Sequence, residues 1–242
     1  MLALMARMHP DHGQVSQVPE TAAELLRPGF LARTPIAGGD RPVDDLPALT
    51  RLHPEEVALV LAASPRRARE LLAGRIALRQ ALAAAGWDGG EALLPGEQGR
   101  CQLPSGFSGS ITHKDGLALA FARRSDDGVT VGVDSEVVGE RERARIAARV
   151  LVPTERLHWE REQGGSWPAL LERFSMKEAI YKALHPHVPR YIAFEEAEIS
   201  ADGTITMSLA QGEGPFQLVG WSAWEGEGAG RRLVSLCGAR RL

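Results

Sequence analysis

The chain has 242 residues, a formal net charge of −3 and 44% hydrophobic residues, a mixture that is typical of a folded globular protein and excludes global disorder. Aromatic residues make up only 5% and the pI is about 6.2, so general nucleic-acid binding is not favoured and no nucleic-acid partner is expected. No run of 18 apolar residues occurs, so we expect no membrane association. Cys101 and Cys237 could form one disulfide, but free thiols in a reducing cytosol fit better, and we expect a cytoplasmic protein.

The first predicted helix covers residues 65–85. Ser64 can cap its start, and Gly86 can end it in a left-handed conformation. Residues 1–20 and 34–50 lack hydrophobic periodicity and are rich in turn formers, so we expect irregular structure there.

Arginine is concentrated in this first helix, against a single acid, Glu70. Two interpretations stay open. The arginines could form a solvated polar face, or they could bind an anion, since the planar guanidinium offers phosphate a bidentate fork. The arginines concerned are Arg66, Arg67, Arg69, Arg75 and Arg79.

Short alternating segments predict strands in the rest of the chain, with one helix over residues 140–150 and another over 167–184. The second of these helices has Ser166 as a possible cap, and Pro186 follows its end. The turn near Gly128 predicts a boundary between an N-terminal half, 1–127, and a C-terminal half, 128–242. The predicted strands are 110–113, 117–122, 129–134, 197–200, 204–209, 217–223 and 232–237.

Two acids, Asp134 and Glu136, lie two apart at the end of a predicted strand, so both project to one face. Adjacent like charges repel unless a cation neutralises them, and hard divalent cations such as Mg²⁺ prefer oxygen ligands. The pair could also be an ordinary exposed pair of acids. The pattern by itself leaves both possibilities open.

The helix over 167–184 places Glu178 among bulky apolar residues on one face, where an isolated carboxylate is costly. Lys182 lies one turn later on the same side. Glu178 could form a simple ion pair with Lys182, a capping box with Ser175, or part of a functional site. The capping box is the weaker alternative, because the apolar pattern begins well before Ser175.

His113 is the one histidine that ends a predicted strand, beside Thr112 and before a glycine turn. A single histidine is most often structural or exposed to solvent. It could also contact a phosphate together with the arginine helix.

Four segments, taken together and in this order, resemble the signature of the 4′-phosphopantetheinyl transferases. The last two read, loosely, G-[IV]-D-x-E and [FW]-[SC]-x-K-E-[AS]-x-x-K in that family, and the first resembles the arginine helix of its enterobactin-synthetase and Sfp-type branch. The segments are RARELLAGRIALRQAL (67–82), GSITHKDGLALA (109–120), GVDSE (132–136) and FSMKEAIYKAL (174–184).

The resemblance implies an α+β fold of two pseudo-symmetric halves, each a small, mostly antiparallel sheet with packed helices, forming an intramolecular pseudo-dimer with coenzyme A between the halves. It implies transfer of 4′-phosphopantetheine from coenzyme A to a serine of an apo acyl or peptidyl carrier protein, releasing 3′,5′-ADP. The chain is expected to be a monomer that serves polyketide, nonribosomal peptide or siderophore synthesis.

The resemblance also implies roles for individual residues. Glu178 and Lys182 would be catalytic, with Glu178, or a water that it holds, as the base. Mg²⁺ would be held by Asp134, Glu136 and Glu178. Coenzyme A would be bound by Arg67, Arg75, Thr112, His113, Lys177 and Lys182.

Besides Cys101 and Leu103, which stand where relatives commonly have Pro and Trp, the sequence departs from the family pattern at two further positions. Ser135 stands where relatives carry an aliphatic residue, which predicts a wetter metal site. Gln98 stands where a basic residue is common, so that a phosphate contact could be absent or move to Arg100. A metal-dependent phosphodiesterase or nuclease and a non-catalytic module that binds coenzyme A or a carrier protein remain the alternative functions.

Overall fold

A computed structural model describes residues 14–18, 24–38, 42–96, 99–139 and 144–242 of the chain. The chain forms two compact units, which divide between Asp126 and Asp127. The short turn Glu24–Leu26 belongs to the second unit, although the sequence places it in the first half. The reason is packing, because the buried side chain of Leu25 lies against Gly238.

The first unit contains a four-stranded antiparallel sheet in the order β1-β2-β4-β3. β4 lies between two strands and is buried along nearly its whole length, as its run of apolar residues requires. β1 corrects the expectation of irregular structure over residues 1–20. The strands are β1 (Val15–Gln17), β2 (Gly29–Pro35), β3 (Phe107–Lys114) and β4 (Leu117–Arg124).

Two helices pack in the first unit, α1 (Pro54–Leu61) and α2 (Pro65–Ala84). α2 ends one residue before the predicted boundary, and Gly86 has the expected positive φ of 98°. Its close approach to β3 depends on a residue without a side chain, because a Cβ at Gly74 would lie 3.2 Å from Ile111. α1 was not predicted, although the side chain of His53 accepts a hydrogen bond from the first turn in a capping box.

The second unit contains a three-stranded antiparallel sheet in the order β5-β9-β8 and a separate two-stranded sheet of β6 and β7. The predicted strands correspond to these five, and β8 and β9 extend beyond their predicted ends. The strands are β5 (Thr130–Val137), β6 (Ala197–Ile199), β7 (Ile205–Met207), β8 (Phe216–Glu225) and β9 (Arg232–Arg241).

The helices of the second unit are α3 (Ala147–Val150), α4 (Pro153–Arg161) and α5 (Trp167–Leu184). α5 has the predicted bounds. Of the helix predicted over 140–150, residues 144–150 are helical, as one 3₁₀ turn followed by α3, and 140–143 lie outside the described residues. α4 was not predicted.

Each unit therefore combines an antiparallel sheet with one long helix, which confirms the predicted α+β class. Both cysteines are free thiols. Among the described residues, the helices are too short or too polar to cross a lipid bilayer.

Candidate functional site

The face of β5 that carries Asp134 and Glu136 is the face covered by α5. Gly132 lies two residues earlier on the same face, and a Cβ there would collide with the backbone of Ala179 and Ala183. The glycine thus lets the helix approach the strand closely. The two carboxylates follow directly along that face, so the second unit places acids of a strand beside the polar residues of a helix.

Lys182 of α5 binds Asp134 of β5. Its Nζ donates to Asp134 Oδ1 at 2.8 Å and to the carbonyl oxygen of Val133 at 2.9 Å. The Asp134 side chain is only 8% exposed, so a neighbouring positive charge is needed to offset the cost of burying it. The lysine one turn after Glu178 therefore forms its ion pair with the strand.

Glu178 lies in the same charged environment. Burial raises the pKa of its carboxyl, and the negative charges of Asp134 and Glu136 raise it further, while the ammonium of Lys182 opposes them. The capping box with Ser175 is excluded, because α5 begins at Trp167 and Ser175 lies fully buried in its interior. A carboxyl with a raised pKa is a stronger base than an ordinary carboxylate.

The three predicted metal ligands fit a hard cation by their chemistry, since Asp134, Glu136 and Glu178 supply carboxylate oxygens of like charge that affect one another. The described part of the chain contains no group of three or more His, Cys, Asp or Glu side chains converged for metal binding. The positive charge beside Asp134 in this structure is that of Lys182.

Ser135 faces away from these carboxylates. Its Oγ accepts a hydrogen bond from Arg232 Nη1 at 3.1 Å, on the opposite face of β5. The prediction that Ser135 makes the metal site wetter is therefore not supported by its position. Gln98, the other departure, lies outside the described residues.

Lys177 points into the interior of the second unit, with a side chain only 1% exposed. Its Nζ donates to Glu155 Oε2 at 2.6 Å, and to the carbonyl oxygens of Val150 at 2.8 Å and Phe194 at 3.1 Å. These acceptors use all three N–H groups of the ammonium. The predicted phosphate contact of Lys177 thus disagrees with its position.

Glu155, the partner of Lys177, is a residue that the sequence reasoning missed. Besides binding Lys177, it accepts backbone hydrogen bonds from Val152 at 2.9 Å and Ile199 at 2.8 Å. It thus joins the start of α4 to β6 and to α5. Its 22-residue separation from Lys177 leaves no local signal for the pairing.

A mainly apolar pocket of about 170 Å³ adjoins Glu178. Phe174 packs against Phe194, and Tyr181 packs against Tyr191, which is 72% exposed. The pocket could take an uncharged, flexible group beside the carboxylates. Its lining includes Lys177, Glu178, Ile180, Tyr181, Tyr191, Ile192 and Phe194.

In the first unit, the structure brings Arg67 and His113 together. Arg67 Nη1 lies 3.3 Å from His113 Nε2 and donates to Glu70 Oε2 at 3.4 Å. Arg66 Nε donates to the other oxygen of Glu70 at 3.0 Å. We call Arg66, Arg67, Glu70 and His113 the arginine cluster.

A pocket of about 480 Å³ borders the arginine cluster. More cationic groups than acids line it, so it suits an anionic ligand. The sequence reasoning did not place Lys114 at this site. The lining residues are Ile36, Ala37, Arg66, Arg69, Glu70, His113, Lys114, Asp115 and Gly116.

The other two predicted coenzyme contacts of the first unit lie elsewhere. Thr112 is buried on the face of β3 opposite to His113, because neighbouring residues of a strand alternate. Arg75 is 6% exposed and lies about 12 Å further along α2 than Arg67, at 1.5 Å per residue. Its charge acts on Cys101, whose pKa burial raises to about 11.

Comparison with known proteins identifies both parts of the chain. Residues 55–123 match the 4′-phosphopantetheinyl transferase N-terminal domain, and residues 130–237 match the 4′-phosphopantetheinyl transferase superfamily.

Three curated relatives carry the same description. The chain is 37% identical to 4′-phosphopantetheinyl transferase Svp of Streptomyces mobaraensis, over 65% of each chain. It is 34% identical to PptT of Mycobacterium tuberculosis (strain ATCC 25618 / H37Rv), over 64% of this chain and 67% of the relative. It is 31% identical to Npt of Nocardia iowensis, over 64% and 69%. The match thus spans just under two thirds of the first of these relatives.

Proposed function

Because the chain belongs to the 4′-phosphopantetheinyl transferase family, we propose that it transfers 4′-phosphopantetheine from coenzyme A to a serine of an apo carrier protein. The observation that carries the proposal is the site of the second unit. There Glu178, with a raised pKa, lies beside the ion pair of Asp134 and Lys182. These are the positions to which the resemblance assigns the metal-binding and catalytic roles.

In the proposed reaction, the serine oxygen forms a bond to the phosphorus that bears pantetheine. The bond between that phosphorus and the bridging oxygen of the pyrophosphate breaks, and 3′,5′-ADP leaves. The serine proton must be taken up, and Glu178 can accept it directly or through a water molecule. In the absence of a bound cation, its raised pKa makes it a better base than an ordinary exposed carboxylate.

Lys182 would stabilise the negative charge on the leaving phosphate. In this structure its ammonium is held beside the carboxylates by Asp134 and by the carbonyl oxygen of Val133.

The proposal includes Mg²⁺ because three carboxylates of the site can supply its oxygen ligands. Asp134, Glu136 and Glu178 would hold the ion, with phosphate oxygens as further ligands. When bound, the ion would neutralise charge on the pyrophosphate. Since Lys182 binds Asp134 here, metal binding requires the two cations to share that carboxylate or Lys182 to shift toward the phosphate.

The arginine cluster and its pocket would hold the nucleotide end of coenzyme A, through Arg67 and His113. Contacts from Arg75 and Thr112 stay predictions, since both side chains are buried away from that cluster. The apolar pocket beside Glu178 suits the pantetheine arm, which is uncharged and flexible.

The acceptor in this proposal is an acyl or peptidyl carrier protein of polyketide, nonribosomal peptide or siderophore synthesis. The catalyst is proposed to act as a cytoplasmic monomer. Light scattering of the purified protein would test the oligomeric state.

The decisive test is mass spectrometry of an apo carrier protein incubated with this protein, coenzyme A and Mg²⁺. We expect the mass of one phosphopantetheine group to be added at the carrier serine, and the addition to stop with EDTA. Replacing the carrier serine by alanine provides the control. Unmodified apo acyl and peptidyl carriers, together with cleavage of an oligonucleotide or phosphodiester, would favour the alternative enzyme class.

A further inference from the structure

Glu70 is the acid at the centre of the arginine cluster, and the proposed reaction gives it no role. Its two oxygens bind different guanidinium groups, Arg66 at 3.0 Å and Arg67 at 3.4 Å. The second oxygen also lies 3.7 Å from His113 Nε2. One carboxylate therefore faces three groups that could bind a phosphate.

The carboxylate of Glu70 stays ionised in this position. Burial raises its pKa, but the hydrogen bonds from Arg66 and Arg67 and the charge of His113 outweigh that effect, so its pKa is lowered overall. The Glu70 side chain is 14% exposed, whereas those of Arg66 and Arg67 are 92% and 53% exposed. The acid is thus fixed against α2, while its two partners are free to turn toward a ligand.

We propose that Glu70 is an internal counter-anion of the coenzyme site. It holds Arg66, Arg67 and His113 until a coenzyme phosphate replaces it as their partner, and this competition weakens coenzyme binding. The inference rests on the proposed function, because it assumes that the nucleotide end of coenzyme A binds at this cluster.

The energetics favour competition over simple positioning. Ion pairs of exposed arginines are weak, so Arg66 and Arg67 can leave Glu70 at little cost. A phosphate forms stronger, bidentate hydrogen bonds with the same guanidinium groups. Glu70 has a shorter side chain that is only 14% exposed, so its charge stays near the bound phosphate and repels it.

The test compares the dissociation constant of 3′,5′-ADP for the wild type and Glu70→Gln, by isothermal titration calorimetry at low ionic strength. Glutamine keeps the shape of the side chain and removes its charge. We expect binding to become about fivefold tighter, the size expected from the loss of one exposed ionic interaction. Glu70→Asp, which keeps the charge, should bind about as the wild type does.

Asp126→Asn is the matched control. Asp126 is an exposed acid that pairs with Arg124 at 2.9 Å, and Arg124 lies at the opposite end of the β3–β4 hairpin from His113. This variant has the same change in net charge and should leave the dissociation constant within about twofold. A melting temperature for each variant shows that it is folded.

Equal or weaker binding by Glu70→Gln would overturn the inference and assign Glu70 to positioning the arginines. Equal tightening in Asp126→Asn would overturn it as well, because the effect would then be one of net charge. Carrier modification by the wild type without the Glu70 effect would sink this inference alone. A wild type that neither binds 3′,5′-ADP nor modifies a carrier would overturn the proposed function also.

Discussion

The arginine cluster of the first unit carries exposed cations at the start of α2 and the end of β3, whereas Asp134 of the second unit is buried between a strand and a helix. Arg67 is 53% exposed, and its partners are held by weak contacts. Asp134 is 8% exposed and tightly bound by Lys182. Exposed cations can exchange one partner for another, as binding and release of a nucleotide require. Buried carboxylates keep their positions, and burial raises the pKa of Glu178, as the proposed proton transfer requires.

The difference follows from how closely the long helix approaches its sheet. In the second unit, Gly132 lets α5 reach β5 at a distance that excludes any side chain, so the acids that follow are covered by the helix. In the first unit, the arginine cluster is at the start of α2 and at the last residues of β3, where both elements end. Charged groups near the end of a helix or strand thus stay exposed, whereas those beneath a closely packed helix are buried.

The largest effect is expected for Glu178→Gln. Loss of the proposed base should lower the initial rate of carrier modification by about a thousandfold, within the range of general-base catalysis. Rates are measured by mass spectrometry at saturating coenzyme A. Glu162→Gln, an exposed acid at the end of α4, is the control. A rate within tenfold of the wild type would show that Glu178 is not the base, and would contradict the contrast drawn between the two units.

Lys177→Met tests the buried side of the comparison. It leaves Glu155 charged and buried without its cation, so the free energy of unfolding should fall by about 3 kcal/mol. Urea denaturation measures the loss. Arg156→Gln, which breaks the half-exposed pair with Glu160, should cost less than about 1 kcal/mol.

The same variant separates two roles for Lys177. If the dissociation constant of coenzyme A rises more than tenfold while stability is kept, Lys177 contacts a phosphate after all. A loss of stability with unchanged coenzyme binding supports the internal role that its three hydrogen bonds indicate.

A smaller effect, on stability in acid, is expected from removing the partly exposed ion pair of Arg190 and Glu196 in the second unit. Hydrogen bonds from Arg190 lower the pKa of Glu196 to about 2. Because the folded protein binds this proton less readily than the unfolded chain does, the stability that Glu196 contributes is complete above its ordinary pKa of 4.5 and is lost between 4.5 and about 2.

In Glu196→Gln this acid-dependent loss should be absent, so the melting temperature should fall less between pH 5 and pH 2.5 than in the wild type. Thermal unfolding followed by circular dichroism measures both slopes. Glu160→Gln controls for the removal of one carboxylate. Parallel slopes in the wild type and Glu196→Gln would contradict the link between Arg190 and acid stability.

The smallest effect is expected from Arg67→Gln. It should raise the KM for coenzyme A by about tenfold and change the free energy of unfolding by less than about 0.5 kcal/mol, because the side chain is exposed. Arg124→Gln is the control, because Arg124 lies at the end of the β3–β4 hairpin opposite to His113. An unchanged KM would mean that the arginine cluster does not bind the coenzyme.

The sequence predicted the two long helices. Ser64 and Ser166 lie at their N-cap positions, although neither side chain forms a cap hydrogen bond. α5 has its predicted bounds, and α2 differs by one residue. β1, β2, α1 and α4 were not predicted. The three-residue β1 has too little pattern, and the two helices are short. The opposite orientations of Thr112 and His113 could have been predicted from the two-residue period of a strand.

The sequence by itself determined which residues carry the charge and which of them share a face, because both follow from residue type and from the periods of helix and strand. It thus predicted Asp134 and Glu136 together and Glu178 with Lys182. Only the tertiary structure decided the partners. Lys182 binds Asp134, which lies 48 positions earlier in the chain, and Lys177 binds Glu155, which lies 22 positions earlier. The pair of Lys182 and Asp134 depends on how closely α5 approaches β5, a distance that here is set by Gly132 and that no local pattern contains.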